Sequence, residues 1–597
     1  MTTTKKPAPQ GGSESTTRLP GNAPEDLAAY MAARVISAND VAAAAMLVDL
    51  AQRDTPSVAP DLRAWLAMCL ALRAPRDGHT CVDLRDIRDW AGDIDLTKDG
   101  HLDWPTDADA WITSLATAGP LVGDLIGVEG TRAPFILEAA RLYLARSLHE
   151  EQEIAHRLLP GNTAVVEVLL GGPGTGKTTN VAARLIEMFR INPHTQIALA
   201  APTGKAAARM AEALQTRLHD KHAPDEVRNA PEEVRKAVST VRPLTIHKLL
   251  GYRPHGTPRY TFNAGEQLAY DLVVVDEASM LSSSLMYHLL DALGDKTRLL
   301  LVGDPNQLAS VDAGSVLGDI ARAADRTGSP LENRTKTLTI RHRFGPRIGA
   351  LADAILAGDD AGVARTFEIL EGRWTPPTDP NNTKPDDPNS IRWVEPGSKP
   401  FKSLVKEAVE HAKRLRDLAR AGNVAAALEA QKEFQVLCAH RAGATGVTGW
   451  NASVEAGIEV GYATPWYSGR PLMVSRNNRG LDLFNGDAGI VVPGDGEGLK
   501  NAAFPMAGSE PRLVPVSQLE EVATMHALTI HKSQGSEYKH AVVVLPERAS
   551  RIVTRELLYT AVTRASDRVT VVGSREVIEA AIRKPIRRAT GLESRLC

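Results

Sequence analysis

The sequence predicts an α/β protein: two parallel-sheet domains, a helical N-terminal region and a small β-barrel-like insertion. Three observations carry this. An apolar run (Val165, Val166, Val168, Leu169, Leu170) breaks into a glycine-rich turn and then a helical pattern. From Val165 to about residue 343, buried-strand runs alternate with helical runs, and the alternation returns after Phe434. From Gly461 to about Val516 the segments are short and strand-like, separated by Gly, Pro, Asn and Asp turns.

Bulk properties narrow the class. A chain of 597 residues is too long for one core, and about three to five domains are expected. With 43% hydrophobic and 24% charged residues, the composition is that of a soluble globular protein. No apolar run is long enough to span a membrane, and residues 1–25 lack the apolar core of a signal peptide and read as a disordered tail. Cys69, Cys81, Cys438 and Cys597 form no CxxC pair, which suits a reducing cytoplasm and no zinc site. The net charge of −3 gives no global attraction for nucleic acid, so any such partner must meet a local basic groove.

In chain order, residues 26–150 read as mostly helical, with Asn39 and Asp61 at N-cap positions and "FILEAARLYLARSLHEEQEIAHRLL" as one helix. No acid–base pair or metal-ligand spacing stands out there, so this region is expected to dock or scaffold. Residues 151–345 form the first α/β domain, with a polar insertion at about 218–263. Residues 346–460 open the second, with 372–400 as an exposed loop; 461–518 are the β insertion and 519–597 complete the second domain. The basic end (Arg583, Lys584, Arg587, Arg588) reads as a solvated tail.

The chemistry starts at Gly171, where G-x-x-x-x-G-K-[ST] is completed by Gly176, Lys177 and Thr178. Glycines at 171, 172, 174 and 176 let the backbone N–H groups turn inward around phosphates at a helix N-terminus. Lys177 then reaches the β- and γ-phosphates of ATP or GTP, and the Thr178 hydroxyl reaches Mg²⁺. Asp276, closing the run "LVVV", is suited to Mg²⁺ through water, and Glu277 beside it to polarising the attacking water. Gln307, on the loop after the next strand, can bond the γ-phosphate or the water. Arg343 and Arg564 are cations able to reach a γ-phosphate from the second domain.

These motifs, in order, resemble those of a superfamily 1 helicase of the RecD-like group. "GGPGTGKTT" resembles motif I, "LAAPTGKAAARM" motif Ia, "LTIHKLLG" motif Ib, "VVVDEASM" motif II and "LVGDPNQLASV" motif III. "LTIRHRFG", "LTIHKSQGSEY" and "LLYTAVTRA" resemble motifs IV, V and VI. Within the group, "GGPGTGKTT", "APTGKAAARM", "FNGDAGIVV" and "HALTIHKSQGSE" are similar to the RecD (alpha) subunits of bacterial RecBCD, exodeoxyribonuclease V.

The resemblance implies two RecA-like domains with ATP between them and a small SH3-like 2B domain around Asn485. It implies nucleotide contacts at Gly172, Gly174, Thr175, Gly176, Lys177, Thr178, Thr179, Gln307, Arg343, Gly535, Glu537 and Arg564. It places Thr203, Lys205, Thr245, His247, Asn485 and His531 toward single-stranded DNA. It further implies 5′-to-3′ movement from a duplex end in a heterotrimer with RecB-like and RecC-like subunits, in double-strand break repair and recombination. The segment between Arg146 and Val165 departs from the family, which usually has a longer helical stretch carrying an adenine-recognising glutamine; Gln152 is a loose match. A stand-alone RecD-like helicase is the alternative, but the helix-hairpin-helix repeats expected of one are absent from the sequence. No carboxylate cluster with a paired lysine suggests a nuclease site.

Overall fold

The structure is a computed structural model. It describes residues 19–597 apart from 55–59, 88–101, 103, 106, 118, 160, 162–164, 221–222, 258, 341–343, 377–386, 461–464, 479, 495, 497 and 507–508. The chain forms two compact units, Met1–His149 and Glu150–Cys597.

In the first unit, helices Ala38–Asp54 and Leu62–Arg73 build a core around Trp65, Met68, Leu70 and Trp111. Asp61 caps the second helix, its Oδ1 accepting the Ala64 N–H at 2.8 Å. Asn39 is not a cap. It lies inside the helix, whose start is fixed by Asp40 reaching back to the Ser37 N–H (2.7 Å) and hydroxyl (2.8 Å). Four strands are also present: β1 (Cys81–Asp83), β2 (Ile126–Gly127), β3 (Phe135–Glu138) and β4 (Arg141–Leu144), in the order β1-β4-β3-β2. The single helix expected over this last stretch is therefore a hairpin followed by a helix, Ala145–Leu158. The chain reverses at Ala139, which takes φ +52°, and Phe135 and Leu142 are fully buried. A short apolar run fits either period, and burial on one sheet face decides it.

The second unit opens with a six-stranded, wholly parallel sheet. Its strands are β5 (Val166–Gly171), β6 (Ile197–Ala201), β7 (Leu244–Thr245), β8 (Leu272–Val275), β9 (Arg298–Gly303) and β10 (Thr335–Leu338), in the order β10-β5-β9-β8-β6-β7. Both faces are covered. Leu289, Met286 and Ile320 lie in the core on one side, and Leu185, Phe189 and Leu214 on the other. Double coverage explains why the strands are continuously apolar. The segment expected to be an insertion joins this layer: Val238, on helix Glu232–Thr240, is buried in the second of these cores, and β7 pairs with β6.

Next come β11 (Ile391–Val394) and β12 (Phe434–Cys438). An antiparallel sheet interrupts them: β13 (Pro471–Val474), β14 (Ala488–Pro493), β15 (Lys500–Met506), β16 (Ser509–Pro515) and β17 (Val522–Thr524), ordered β16-β15-β14-β13-β17. Then β18 (Ala527–Thr529), β19 (Tyr538–Val544) and β20 (Ala565–Val572) complete a second parallel sheet, β11-β20-β19-β12-β18. Finding β11 at its edge corrects the reading of 372–400 as loop throughout. Trp393, on β11, donates its indole N–H to Gly573 O at 2.9 Å.

The basic end is not a solvated tail. Leu592 and Leu596 are fully buried in the first sheet's core with Ile154, Leu158 and Ile320. Their i, i+4 spacing on a short helical turn is the apolar signal that the neighbouring basic residues conceal.

Candidate active site and nucleic-acid interface

Gly171 ends β5, and a Cβ there would meet Thr175 Oγ1 at 2.5 Å and Leu338 O at 3.2 Å, so the turn requires bare backbone. Gly174 and Gly176 take φ +79° and +83°, the left-handed region that glycine enters without strain. Helix Lys177–Ile191 follows directly, bringing its unpaired N–H groups and positive dipole end to the turn. Lys177 Nζ donates to the carbonyl oxygens of Gly171 (2.5 Å) and Gly172 (3.0 Å). Thr175 is buried and donates to Gly172 O at 2.9 Å; Thr178 and Thr179 are half-buried on the first helical turn.

Asp276 stands at the end of β8, two strands from β5. Burial raises its carboxyl above the usual range, with the neighbouring Glu277 charge second; Lys177 and Arg209 oppose this. Its Oδ1 accepts the N–H of Glu277 at 2.9 Å. Glu277 takes φ +53°, a costly conformation for a side-chain-bearing residue and one that clusters at functional sites.

The loop after β9 carries Asp304 and Gln307, both buried. Gly303 packs so closely on the turn after Glu277 that a Cβ would meet Ala278 N and Ser279 N at 3.2 Å. Gln307 Nε2 donates to Asp304 Oδ2 at 3.2 Å. The second half of the unit closes on this loop. Tyr559 donates its hydroxyl to Asp304 Oδ2 at 3.0 Å, Thr560 Oγ1 accepts the Leu308 N–H at 3.0 Å, and Gln534 Nε2 donates to Leu308 O at 2.9 Å. Arg564 is 2% exposed and donates to Thr560 O (3.1 Å) and Ser536 O (3.3 Å). Burial lowers its guanidinium, and the carboxylates of Glu277 and Asp304 resist that, so the arginine faces both. Gly535 has φ +70°, and Glu537 forms an ion pair with Arg209 of helix Gly204–Leu218. Arg343 lies outside the described residues.

The residues expected to face DNA fall on two kinds of turn. "LTIHK" occurs twice, at 244–248 and 528–532. In each copy the threonine, at φ −74° or −75°, caps a short helix: Thr245 accepts the Lys248 N–H (3.2 Å) and Thr529 the Lys532 N–H (3.4 Å). The strands they end, β7 and β18, are the corresponding edges of the two parallel sheets. His247 and His531 therefore sit exposed on equivalent first turns. The third site is the turn Thr203–Lys205. Thr203 caps its helix through Ala206 N–H (3.2 Å), so its hydroxyl is engaged. Phe484 of the antiparallel sheet is packed so closely on Gly204 that a Cβ would meet its Cβ at 2.7 Å. Burial and Arg209 pull the Lys205 ammonium down to about 8, with Asp487 opposing. Asn485 is exposed on the same turn as Phe484, its N–H donating to Asn477 Oδ1 at 2.8 Å. Gln152 is half-buried in helix Ala145–Leu158.

Three residues of the site escaped sequence reasoning: Arg209, Tyr559 and Thr560. Arg209 lies inside "APTGKAAARM" and Tyr559 and Thr560 inside "LLYTAVTRA", where position within a recognised motif was the available signal. The "LTIHK" repeat is legible in the sequence itself.

Taken together, a glycine cradle at a helix N-terminus, a nearby lysine and threonine, and strand-end carboxylates fit a nucleotide triphosphate with a divalent cation. Comparison with known proteins agrees. Residues 32–143 match the model for "RecBCD enzyme subunit RecD, N-terminal domain", 155–313 an AAA domain, and 524–572 a UvrD-like helicase C-terminal domain. The RecBCD enzyme subunit RecD of Mycolicibacterium smegmatis is 39% identical over 94% of this chain and 98% of its own. That of Haemophilus influenzae is 31% identical over 71% and 69%. The ATP-dependent RecD2 DNA helicase of Deinococcus radiodurans is 31% identical over 76% of this chain but 53% of its own length. With near-complete mutual coverage of a RecD subunit and the ATP-binding and helicase domains both present, this chain is an ATP-dependent helicase that belongs to the RecD family of RecBCD enzyme subunits.

Proposed function

We propose that the chain is the 5′-to-3′ DNA translocase subunit of a RecBCD-type complex, working in the bacterial cytoplasm with RecB-like and RecC-like partners on duplex ends. The observation that carries this is the convergence of both halves of the second unit on one loop: Tyr559 on Asp304, and Thr560 and Gln534 on Leu308. A cleft whose two walls share bonds at the nucleotide loop changes shape when that loop does. Residues 26–150 are assigned to partner docking, and the nuclease activity of the complex is assigned elsewhere, since this chain's carboxylates serve nucleotide chemistry.

ATP lies in the turn Gly171–Thr179, where Lys177 and the helix N-terminus bind its phosphates. Thr178 and Asp276 would hold Mg²⁺, which offsets phosphate charge when bound. Glu277 takes a proton from the attacking water, and Gln307 orients that water. Arg564 steadies the charge that develops on the phosphoryl group as its bond breaks, and Arg343 is proposed as a second cation. Hydrolysis releases the hold on the cleft. The histidine turns at His247 and His531, one on each half, then shift along the DNA backbone, joined by Thr203, Lys205, Thr245 and Asn485. Such contacts go to phosphates and read no sequence.

Unwinding of duplexes bearing either a 5′ or a 3′ single-stranded tail tests the reading, using a complex whose RecB-like motor is inactivated. Activity on 5′-tailed substrate is expected. Activity confined to 3′-tailed substrate would overturn the polarity, and none on either would overturn the translocase.

A further inference from the structure

The segment Lys584–Cys597 follows the last long helix of the second half (Arg575–Arg583), crosses to the first half and is fastened there along its length. The Arg588 guanidinium donates from Nη1 to Asp312 O (2.7 Å) and Gly314 O (3.2 Å), and from Nη2 to Ser310 O. The Thr590 hydroxyl lies 2.8 Å from Glu151 Oε1 and 3.2 Å from Asp319 Oδ2, and the Gly591 N–H donates to Glu151 Oε2 at 3.0 Å. Glu593 pairs with Arg322 at 2.7 Å and with Arg326. Leu592 and Leu596 anchor the turn in the core.

What Arg588 grips is the continuation of the loop that carries Asp304 and Gln307. The near end of that loop, at Leu308, is bonded to Thr560 and Gln534. Its far end has little internal structure. Ser310 Oγ bonds to Asp312 O at 2.7 Å, and Gly314 is pressed on Ser283 at φ +99°, where a Cβ would lie 2.0 Å from Ser283 Oγ. The tip is turned outward, with Val311 81% exposed. Electrostatically, the loop faces one histidine turn through Asp312, and Arg588 itself faces the other. The Asp312 charge acts on His247, and the Arg588 charge helps to lower His531.

We propose that Arg588 is a positioning residue for ATP turnover. By holding three carbonyls of Ser310–Gly314 it keeps Gln307 and Asp304 in register with the two DNA-facing histidine turns, and so couples DNA binding to hydrolysis. Several carbonyls of one exposed loop are best gathered by a donor array of fixed shape, and a planar guanidinium supplies several N–H groups in one rigid fork where an ammonium is a point charge. The donor arrives on a segment anchored to the first half but covalently continuous with the second, so a shift of either half is felt at Arg588. The proposal rests on reading the chain as a DNA-stimulated ATPase.

The test uses the full chain with ATP and oligo(dT), comparing wild type, Arg588→Ala and Arg588→Lys by hydrogen exchange, thermal melting and turnover. In Arg588→Ala, amides of 308–314 should exchange about ten-fold faster or more, while those of β8 and β9 keep their rates. Stimulation by saturating oligo(dT) should fall by roughly ten-fold, as loss of a charged hydrogen-bonding group implies. Arg588→Lys should resemble Arg588→Ala in both, with melting close to wild type; it also serves as the test variant if the alanine variant fails to fold. Unchanged exchange at 308–314 would overturn the proposal. So would a loss of stimulation that tracks melting and is restored by cooling, which marks a purely structural role. Absence of DNA stimulation in the wild type would instead refute the helicase reading, and the exchange measurement would still decide whether Arg588 holds the loop.

Discussion

Replacing Arg564 by lysine separates a structural duty from the catalytic one proposed for the same side chain. The guanidinium is 2% exposed and donates to Thr560 O at 3.1 Å and Ser536 O at 3.3 Å, using two of its five N–H groups. Lysine keeps the charge, but its single nitrogen on a different stem does not reproduce both bonds. Thr560 O keeps the Thr563 hydroxyl as a donor, but Ser536 O left unpaired costs about 1–3 kcal/mol, which melting will register. The proposed catalytic duty is larger. An arginine that steadies charge on a departing phosphoryl group is worth roughly 10³-fold or more in turnover. Arg564→Lys should therefore be nearly as slow as Arg564→Ala in single-turnover ATP hydrolysis with single-stranded DNA, while a fluorescent ATP analogue binds both with far smaller losses. DNA affinity should also stop responding to ATP analogues in Arg564→Ala, because closure of the cleft is what links the sites. Wild-type turnover in Arg564→Lys would refute the reasoning. A defect that disappears at a temperature where the variant is fully folded would show Arg564 to be a packing residue.

Other outcomes follow from the same geometry. Glu277→Gln should bind ATP normally yet cleave it on the order of 10²-fold more slowly, and a parallel loss of binding would make Glu277 structural. A chain starting at Glu150 should no longer copurify with RecB-like and RecC-like subunits; assembly of that truncated chain would remove the docking role of residues 26–150. Asp319 is fully buried beside Glu151, and burial pushes its carboxyl up to about 7. An unfolded aspartate titrates near about 4, so the folded protein holds this proton more tightly. The stabilisation is present at low pH and is lost as pH rises through about 7. Melting temperature should accordingly fall from about pH 4 to about pH 7 and level off above, and Asp319→Asn should flatten that slope; an unchanged slope would refute the assignment.

The sequence carried the site further than it carried the edges of the fold. The turn at Gly171–Thr178 was legible because backbone, lysine and hydroxyl must be contiguous to wrap a phosphate. The strands β5, β6, β8 and β9 were legible because burial on both faces leaves unbroken apolar runs. Ten residues from Phe135 to Leu144 were not, since so short a run satisfies helical and strand periods alike. Strand β11 was hidden beside a stretch dense in Pro, Asn and Asp. Lys584–Cys597 looked like a solvated basic end because its two anchoring leucines are few and its arginines many. Arg209 and Arg588 owe their places to partners more than two hundred residues away (Glu537 and Ser310–Gly314), and no local pattern encodes such a meeting.

ATP turnover with and without single-stranded DNA, in the purified complex with the partner's own ATPase inactivated, tests the central claim most directly. The comparison is wild type against Lys177→Ala, because Lys177 is the cation of the phosphate-binding turn and its Nζ reaches the loop carbonyls at Gly171 and Gly172. Turnover should rise with DNA in the wild type and be abolished in a folded Lys177→Ala variant. Undiminished, DNA-responsive turnover in Lys177→Ala would contradict that claim.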